Sequence, residues 1–316
     1  MAIRTTKDTK VALAFLSPFL IVFAVFLVFP IFYSFYLSFF GTTQSYDLAD
    51  LNFVGFGNYI KIIGDFQFWW SLGITFIYGL LSIPLGICMS LALAMLLNNK
   101  FFGKDFFRSA FFLPNVLDML VVGVIWTLIY APKVGVLAQI ASKIFDPNLP
   151  IGNFFVEQGL LSSPWTALLA VVIAMTLKGA GFGMVLFLAA LQNIPNDVYE
   201  AADIDGATEF QKFFQITLPL LKPIITFMVI TGVTGALNAF TEIYAMTAGG
   251  PQASIMGNTV GSSSVAGYYL FKQFNAGEYG YAAAISYILL IITLTITAIQ
   301  QYISKRTGMK TGDKRK

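Results

Sequence analysis

Six stretches of this 316-residue chain are long and apolar enough to cross a lipid bilayer: residues 11–40, 68–97, 109–130, 164–191, 218–246 and 281–303. A helical span needs about 20 mostly apolar residues. Hydrophobic residues make up 57% of the chain and charged residues 11%, whereas a soluble domain carries about 25% charged. A water-soluble fold could not cover that much apolar surface, so the expected architecture is an all-α integral membrane protein with six transmembrane helices. Spans one, two, four and five exceed the minimum length, which predicts tilt or kinks. Pro18, Pro30 and Pro84 are the candidate kink points, because neighbouring helices can satisfy the backbone that a proline disturbs. The first run is too long for the core of a signal peptide and reads as a retained span.

The charges predict an orientation. Arg4, Lys7 and Lys10, then Lys100, Lys104 and Arg108, then Lys212 and Lys222, and a tail from Lys305 to Lys316 all fall at one set of span ends. The opposite ends carry Lys61, Lys133, Lys143 and Lys272. Lys and Arg accumulate on the cytoplasmic side, so both termini are expected there. The chain then divides into a cytoplasmic tail 1–10, a transmembrane domain 11–303 and a basic cytoplasmic tail 304–316. Phe66, Phe68, Trp69, Trp70, Trp126, Tyr130 and Trp165 sit near predicted outer ends, as an interfacial aromatic belt would. Long outer connections at 41–67, 131–163 and 247–280 carry turn formers such as Gly249-Gly250-Pro251.

Several chemistries are excluded or disfavoured. The net charge of +3 gives no nucleic-acid signal, and the chain has no histidine. Cys88 is the only cysteine, so an internal disulfide and a Cys/His zinc site are ruled out. In its apolar run Cys88 reads as a small buried hydrophobe. A Gly-x-x-x-x-Gly-Lys-Ser/Thr phosphate loop is missing, so any ATP-driven work must reach the chain from another subunit. No cofactor is expected.

One polar segment interrupts the apolar runs, between spans four and five. Pro195 suits the first turn of a helix, with Asp197 and Glu200 near its positive end. That helix should run to Asp205 and stop at Gly206. Thr208 starts a second helix, with Gln211 three residues on as in a capping box. Phe210, Phe213 and Phe214 share a face of it. Residues 195–217 thus form a helix–glycine–helix elbow, where small Ala201 and Ala202 would let another surface approach. From spacing alone, a merely solvated loop is the competing reading.

Within the spans, Asp118 and Lys178 stand at similar expected depth. A charge there costs roughly 2.5–3.5 kcal/mol on insertion scales and needs a partner or a wet cavity. They read as facing the interior, either paired with each other or lining a path; an ion pair that only fixes packing is the plainer alternative. Asn238 and Glu242, one turn apart near the outer end of span five, would share a face. With Phe240 and Tyr244 they are candidate path residues, since amides, carboxylates and aromatic rings suit hydroxyl-rich ligands.

Glu200-Ala201-Ala202, Asp205-Gly206-Ala207 and Ile216-Thr217-Leu218-Pro219 resemble the EAA signature of inner-membrane permease subunits of binding-protein-dependent ABC importers. Leu188 to Pro195 before it, and Phe240, Ile243-Tyr244, Thr247, Gly249-Gly250-Pro251 and Gly280 to Ala284 after it, extend the likeness. The pattern is similar to the carbohydrate-uptake branch, which includes permeases for maltose, multiple sugars and glycerol-3-phosphate. The long first span resembles the first of the two non-identical permeases of such systems. Leu177, Thr241 and Phe271 depart from it, standing where many relatives have Trp, Asp and Tyr. All three lie in the path or outer gate region, so the departures bear on the substrate.

The resemblance implies a type I ABC importer permease fold in a prokaryotic cell membrane, with no catalytic chemistry of its own. It makes the elbow the coupling helix, docked in a cleft of a separate ATPase, with Glu200 as the charged contact, Ala201 and Ala202 giving close approach and Gly206 the bend. Implied partners are a second permease, two ATP-binding subunits and an extracytoplasmic solute-binding protein that contacts residues 249–264. Rival readings are an importer for glycerol-3-phosphate, an amino acid or an oxyanion, a stand-alone secondary transporter, which often shows inverted repeats, and a membrane-embedded enzyme.

Overall fold

The computed structural model describes residues 6–42, 51–99, 102–146 and 149–306. The extreme ends of both predicted tails, and Lys100 of the charge map, lie outside the described residues. In chain order the elements are α1 (Thr6–Phe23), a π-helical turn (Ala24–Val28), α2 (Phe29–Leu37), β1 (Phe40–Thr42), β2 (Leu51–Phe53), α3 (Gly57–Ile63) and α4 (Phe66–Asn98). Next come α5 (Lys104–Val116), α6 (Met119–Ile129), α7 (Val136–Ile144), α8 (Pro150–Asn153), a π-turn (Phe154–Gln158) and α9 (Ala167–Gln192). The elbow region holds α10 (Asn196–Ile204), α11 (Glu209–Lys212), a third π-turn (Phe213–Thr217) and α12 (Leu218–Leu220). The remainder is α13 (Lys222–Leu237), α14 (Thr241–Met246), β3 (Gln252–Ile255), β4 (Asn258–Gly261), α15 (Ala266–Asn275) and α16 (Tyr279–Arg306).

Four of the expected spans are single helices of sufficient length and apolarity: Val11–Leu37, Phe66–Asn98, Ala167–Gln192 and Tyr279–Ser304. The other two are broken. Span three bends by 104° between α5 and α6, and span five bends by 61° between α12 and α13. Counting each bent pair as one crossing gives six. Span three, read as one continuous stretch over 109–130, is thus a pair of half-helices, and span five, where excess length predicts a tilt or kink over 218–246, is sharply broken. Asp118 starts a new helix at one break, and the chain breaks again after Leu237, before α14. The proline kinks take a quieter form. Pro30 follows the π-turn within span one, and Pro84 lies inside the 33-residue α4.

The chain divides into two compact units, residues 1–65 with 270–291 and residues 66–269 with 292–316. In the first, span one ends at Leu37, three residues before the expected limit, because Phe40 opens the antiparallel β1–β2 hairpin. Asn58 donates to the carbonyls of Ser38 and Phe40 at 2.9 and 2.8 Å, tying α3 to this corner. Tyr287 of α16 shares a hydroxyl contact with Ser34 at 3.0 Å.

In the second unit α4 and α9 pack along their length, α5 lies on α9, α13 on α4, and α14 on α6. Two cores result. One gathers Ile74, Tyr78, Leu168, Val171, Ala236 and Ile243; the other gathers Leu91, Ala94, Met184, Phe187, Leu188 and Leu221. Along α4, α9 and α13 they occupy opposite ends, so the middle of these helices is left less filled. Small residues permit the close crossings. A Cβ on Gly181 would stand 2.0 Å from the Phe111 carbonyl oxygen, which only glycine allows. The outer connections carry structure of their own: α7, α8 and the β3–β4 hairpin, which Trp70 anchors by donating to the Gly261 carbonyl at 3.0 Å.

Two sequence expectations need correcting. Cys88 is exposed rather than buried. The aromatic belt is split. Trp69 and Trp165 are exposed, whereas Phe68 and Tyr130 are core residues and Trp70 is half-buried. The ends of these helices are covered by the protein's own outer segments.

Gly181→Ala should destabilise the protein by about 1–3 kcal/mol, because backbone rather than a movable side chain blocks the new methyl. Gly179→Ala, with nothing within 4 Å of its Cβ, should be neutral or stabilising by up to about 1 kcal/mol. Thermal unfolding of the two variants in detergent, read as Tm, checks the contrast.

Candidate functional site

Between the two cores of the second unit lies a cavity of about 500 Å³, within the ordinary range for a ligand site. It is lined from α4, α5, α6, α9, α13 and α14, and its polar groups are few: Tyr78, Ser82, Ser90, Asn115, Thr176, Lys178, Thr231 and Glu242. Both of its α13–α14 and α5–α6 walls are breaks in helices. Asn115 and Met119 flank one break, and Ala236 and Glu242 flank the other. Irregular backbone at membrane depth is tolerated where it borders a cavity, because groups freed from the helix ladder can be satisfied there.

Glu242 is only 7% exposed, and one of its oxygens accepts from the Tyr78 hydroxyl at 3.1 Å. A buried carboxylate is costly without such a donor. Thr176 is 6% exposed, and among the described residues its hydroxyl has no hydrogen-bond partner. Lys178, half-buried on α9, has no ion-pair partner among the described residues. The cavity thus offers one paired carboxylate and one cation with no ion-pair partner among the described residues, set in apolar walls, while the Thr176 hydroxyl oxygen is buried away from the open space.

Of the six path candidates from the sequence, Lys178 and Glu242 line this cavity and the other four do not. Asp118 makes no pair with Lys178. Its side chain accepts from the Leu120 N–H at 2.8 Å and caps α6, a local use that explains an acid in an apolar run. Asn238 is exposed and donates back to the Thr234 carbonyl at 2.8 Å, closing the end of α13. It shares no helix face with Glu242, because the two sit on different helices. Phe240 and Tyr244 stack on each other with centroids 5.6 Å apart. Sequence reasoning missed Tyr78, Asn115 and Thr176, since nothing local distinguishes a path-lining Tyr, Asn or Thr from a packing one.

The elbow forms from local signals. Asn196 is the first residue of α10, with Pro195 one place earlier as its cap rather than inside its first turn. The helix ends in a Schellman turn. Ala207 N–H donates to the Ala202 carbonyl at 2.9 Å and Gly206 N–H to that of Asp203 at 3.1 Å, with Gly206 at φ +74°. Thr208 then caps α11 in a full capping box with Gln211. Glu200, Ala201 and Asp205 are exposed, and Ala207 is half-buried. Ala202 is buried by its own chain, so it cannot receive another surface as expected; Ala201 can. Phe210, Phe214, Ile204 and Val198 are exposed apolar groups on the same segment. Lys212 is not a free topological charge. Its ammonium reaches Asp203 of α10 at 2.5 Å and Glu209 of α11 at 2.7 Å.

Helices broken around an apolar-walled cavity that holds a few polar groups, with an amphipathic elbow between two of its walls, make a multi-pass solute permease. The chain belongs to the family described as binding-protein-dependent transport system inner membrane component, whose model matches residues 82–309. It is 34% identical over 256 residues to the probable ABC transporter permease protein YurN of Bacillus subtilis, covering 80% of this chain and 82% of that one. It is also 34% identical over 247 residues to the trehalose/maltose transport system permease protein MalF of Thermococcus litoralis, covering 78% of each. In fold it matches a chain of a bacterial alginate ABC transporter in complex with an alginate pentasaccharide-bound periplasmic protein. The TM-score is 0.78 at 24% identity, over 98% of this chain and 100% of that chain. The protein is thus an ABC-type permease, a membrane transport component rather than an enzyme.

Asp118→Asn should change stability little, because Asn also caps helices, while Asp118→Ala should cost about 1 kcal/mol. With no contact between the two charges, Asp118→Asn and Lys178→Met should have additive effects on uptake, within about 0.5 kcal/mol in a double-mutant cycle.

Proposed function

We propose that this chain is one permease of an ATP-driven, binding-protein-dependent importer of a saccharide. It forms half of the translocation path beside a second permease. Two ATP-binding subunits grip the elbows on the cytoplasmic side, where both termini also lie, and a solute-binding protein delivers the ligand from outside. Closure of the ATP-binding subunits would drive the elbows together and switch the path between outward and inward exposure, a rigid-body transition of a bistable bundle. Glu200 is the charged contact in that grip, Ala201 the point of close approach, and Gly206 with Asp205 and Ala207 the bend; Ala202 packs inward and sets the height of the helix.

The observation that carries the saccharide reading is the cavity. It combines an apolar lining with the Glu242–Tyr78 pair and a few hydroxyl-bearing residues, Ser82, Ser90 and Thr231. A sugar hydroxyl both donates and accepts, so it suits a carboxylate and hydroxyl side chains alike. The relative named for trehalose and maltose supports the same class. One observation favours a second reading. The Lys178 ammonium would suit a solute bearing a phosphate or carboxylate, such as glycerol-3-phosphate or an acidic saccharide; a transporter of similar fold imports the acidic polysaccharide alginate. A secondary transporter would need no ATP-binding partner, and membership of this family argues against it.

The reading is tested with the assembled complex in proteoliposomes, using radiolabelled maltose, trehalose, glycerol-3-phosphate and alginate oligosaccharide as probes. Saccharide uptake should stop when ATP is withdrawn and persist when ion gradients are collapsed. Uptake that follows the gradient, or of none but non-saccharide probes, overturns it. Glu242→Gln and Tyr78→Phe should each lower uptake by roughly tenfold, as expected when a buried polar partner is removed. Glu200→Lys should leave insertion intact and lower ATP-driven uptake by tenfold or more, roughly the cost of reversing a charge at an interface.

A further inference from the structure

The elbow's two arms meet at a glycine, the weakest link a lever could have. Gly206 has positive φ and open space where a Cβ would stand, so nothing steric stiffens it. The backbone hydrogen bonds around it secure the end of α10 and the start of α11 separately. A push on α10 would be lost in bending unless something crosses from one arm to the other. Two side-chain links do. Tyr199 of α10 meets the Thr217 hydroxyl at 2.9 Å, and Lys212 meets Asp203.

We infer that Lys212 is the positioning residue that locks the two arms into one rigid lever. Its side chain is 11% exposed, although the two carboxylates around it are 60% and 91% exposed. The lysine side chain is therefore packed between the arms while its counter-charges stay wet, so packing of its stem as well as charge holds it in place. Glu209, three residues back on the same arm, holds the ammonium in the orientation that reaches Asp203. Lys212 also ends α11 just where the chain widens into the π-turn 213–217, and its carbonyl accepts from the Thr217 hydroxyl at 3.3 Å. One residue thus joins the far arm, its own arm and the turn that leads into α13.

This inference rests on the reading of the elbow as the docking site of the ATP-binding subunit. The experiment therefore measures hydrogen exchange at residues 196–217 in the assembled complex, together with ATP hydrolysis and its stimulation by the solute-binding protein. Lys212→Met should leave ATP-binding subunits co-purifying at the normal level. It should speed exchange in the 205–209 turn by roughly tenfold and reduce the stimulation of hydrolysis at least about threefold. Lys212→Arg should restore both, because a guanidinium can bridge the same two carboxylates. Asp203→Asn removes only the link between arms and should behave like Lys212→Met, whereas Glu209→Gln should do much less; this contrast stands even where Lys212→Met does not accumulate. Normal exchange and normal stimulation in Asp203→Asn, or failure of Lys212→Arg to rescue, overturns the inference. Failure of the docking reading shows differently: the unaltered elbow would then exchange equally with and without the ATP-binding subunits.

Discussion

In hydrocarbon, a backbone N–H or C=O without a partner costs several kcal/mol, because no water can replace the lost hydrogen bond. That constraint explains where this chain can bend. Spans three and five are broken at three places, between α5 and α6, between α12 and α13 and between α13 and α14, and the two breaks that border the cavity each have their own repair. At the first, the Asp118 carboxylate accepts an N–H that the helix start would orphan. At the second, Asn238 returns its side-chain amide to the Thr234 carbonyl, and Tyr244 N–H donates to the Phe240 carbonyl to restart the ladder. Both repairs flank the cavity. The breaks make the cavity possible, since they turn Asn115, Met119 and Glu242 toward space that a continuous helix would have filled.

The same rule explains how much of the fold the sequence discloses. Span existence follows from composition over some 20 residues, a sum that a break in the middle hardly changes; hence 109–130 reads as one continuous span, and the excess length of 218–246 predicts a tilt or kink without placing it. What tells a broken span from a whole one is a single residue's partner. Asp118 beside an apolar helix start has two meanings, a buried charge seeking a cation or a cap, and they differ only in where the Leu120 amide points. Asn238 and Glu242 illustrate the converse. Their four-residue spacing is meaningful on one helix and empty across two.

The elbow was legible for the opposite reason. Its Schellman turn and capping box are contacts between residues at most five apart, so spacing alone encodes them. The links that cross between its arms, Lys212 to Asp203 and Tyr199 to Thr217, span nine and eighteen residues and carry no local signature. Tyr78 and Thr176 are further still from prediction, for Tyr78 is 164 residues from Glu242 and acquires meaning only when α4 and α14 meet. Sites built from side chains on separate helices are written in packing, which a single sequence does not display.

Position in the chain then links the two sites. The elbow leaves directly from the end of α9 and leads directly into α13, and both helices line the cavity, through Met175 to Leu186 on one and Phe227 to Ala236 on the other. A helix is stiff along its axis and rises about 1.5 Å per residue. Displacing the elbow must therefore displace two cavity walls, unless the motion is absorbed on the way. Four places could absorb it: Gly206, the π-turn 213–217, the non-helical turn 193–195 and the bend before Lys222. Tyr199 and Lys212 tie the first two into cross-linked structure. The turn 193–195 and the 61° bend between α12 and α13 are left as the points about which such a lever would turn. On the proposed reading, a rigid elbow between these two corners would pass its movement to α9 and to α13, the wall that ends at the break beside Glu242.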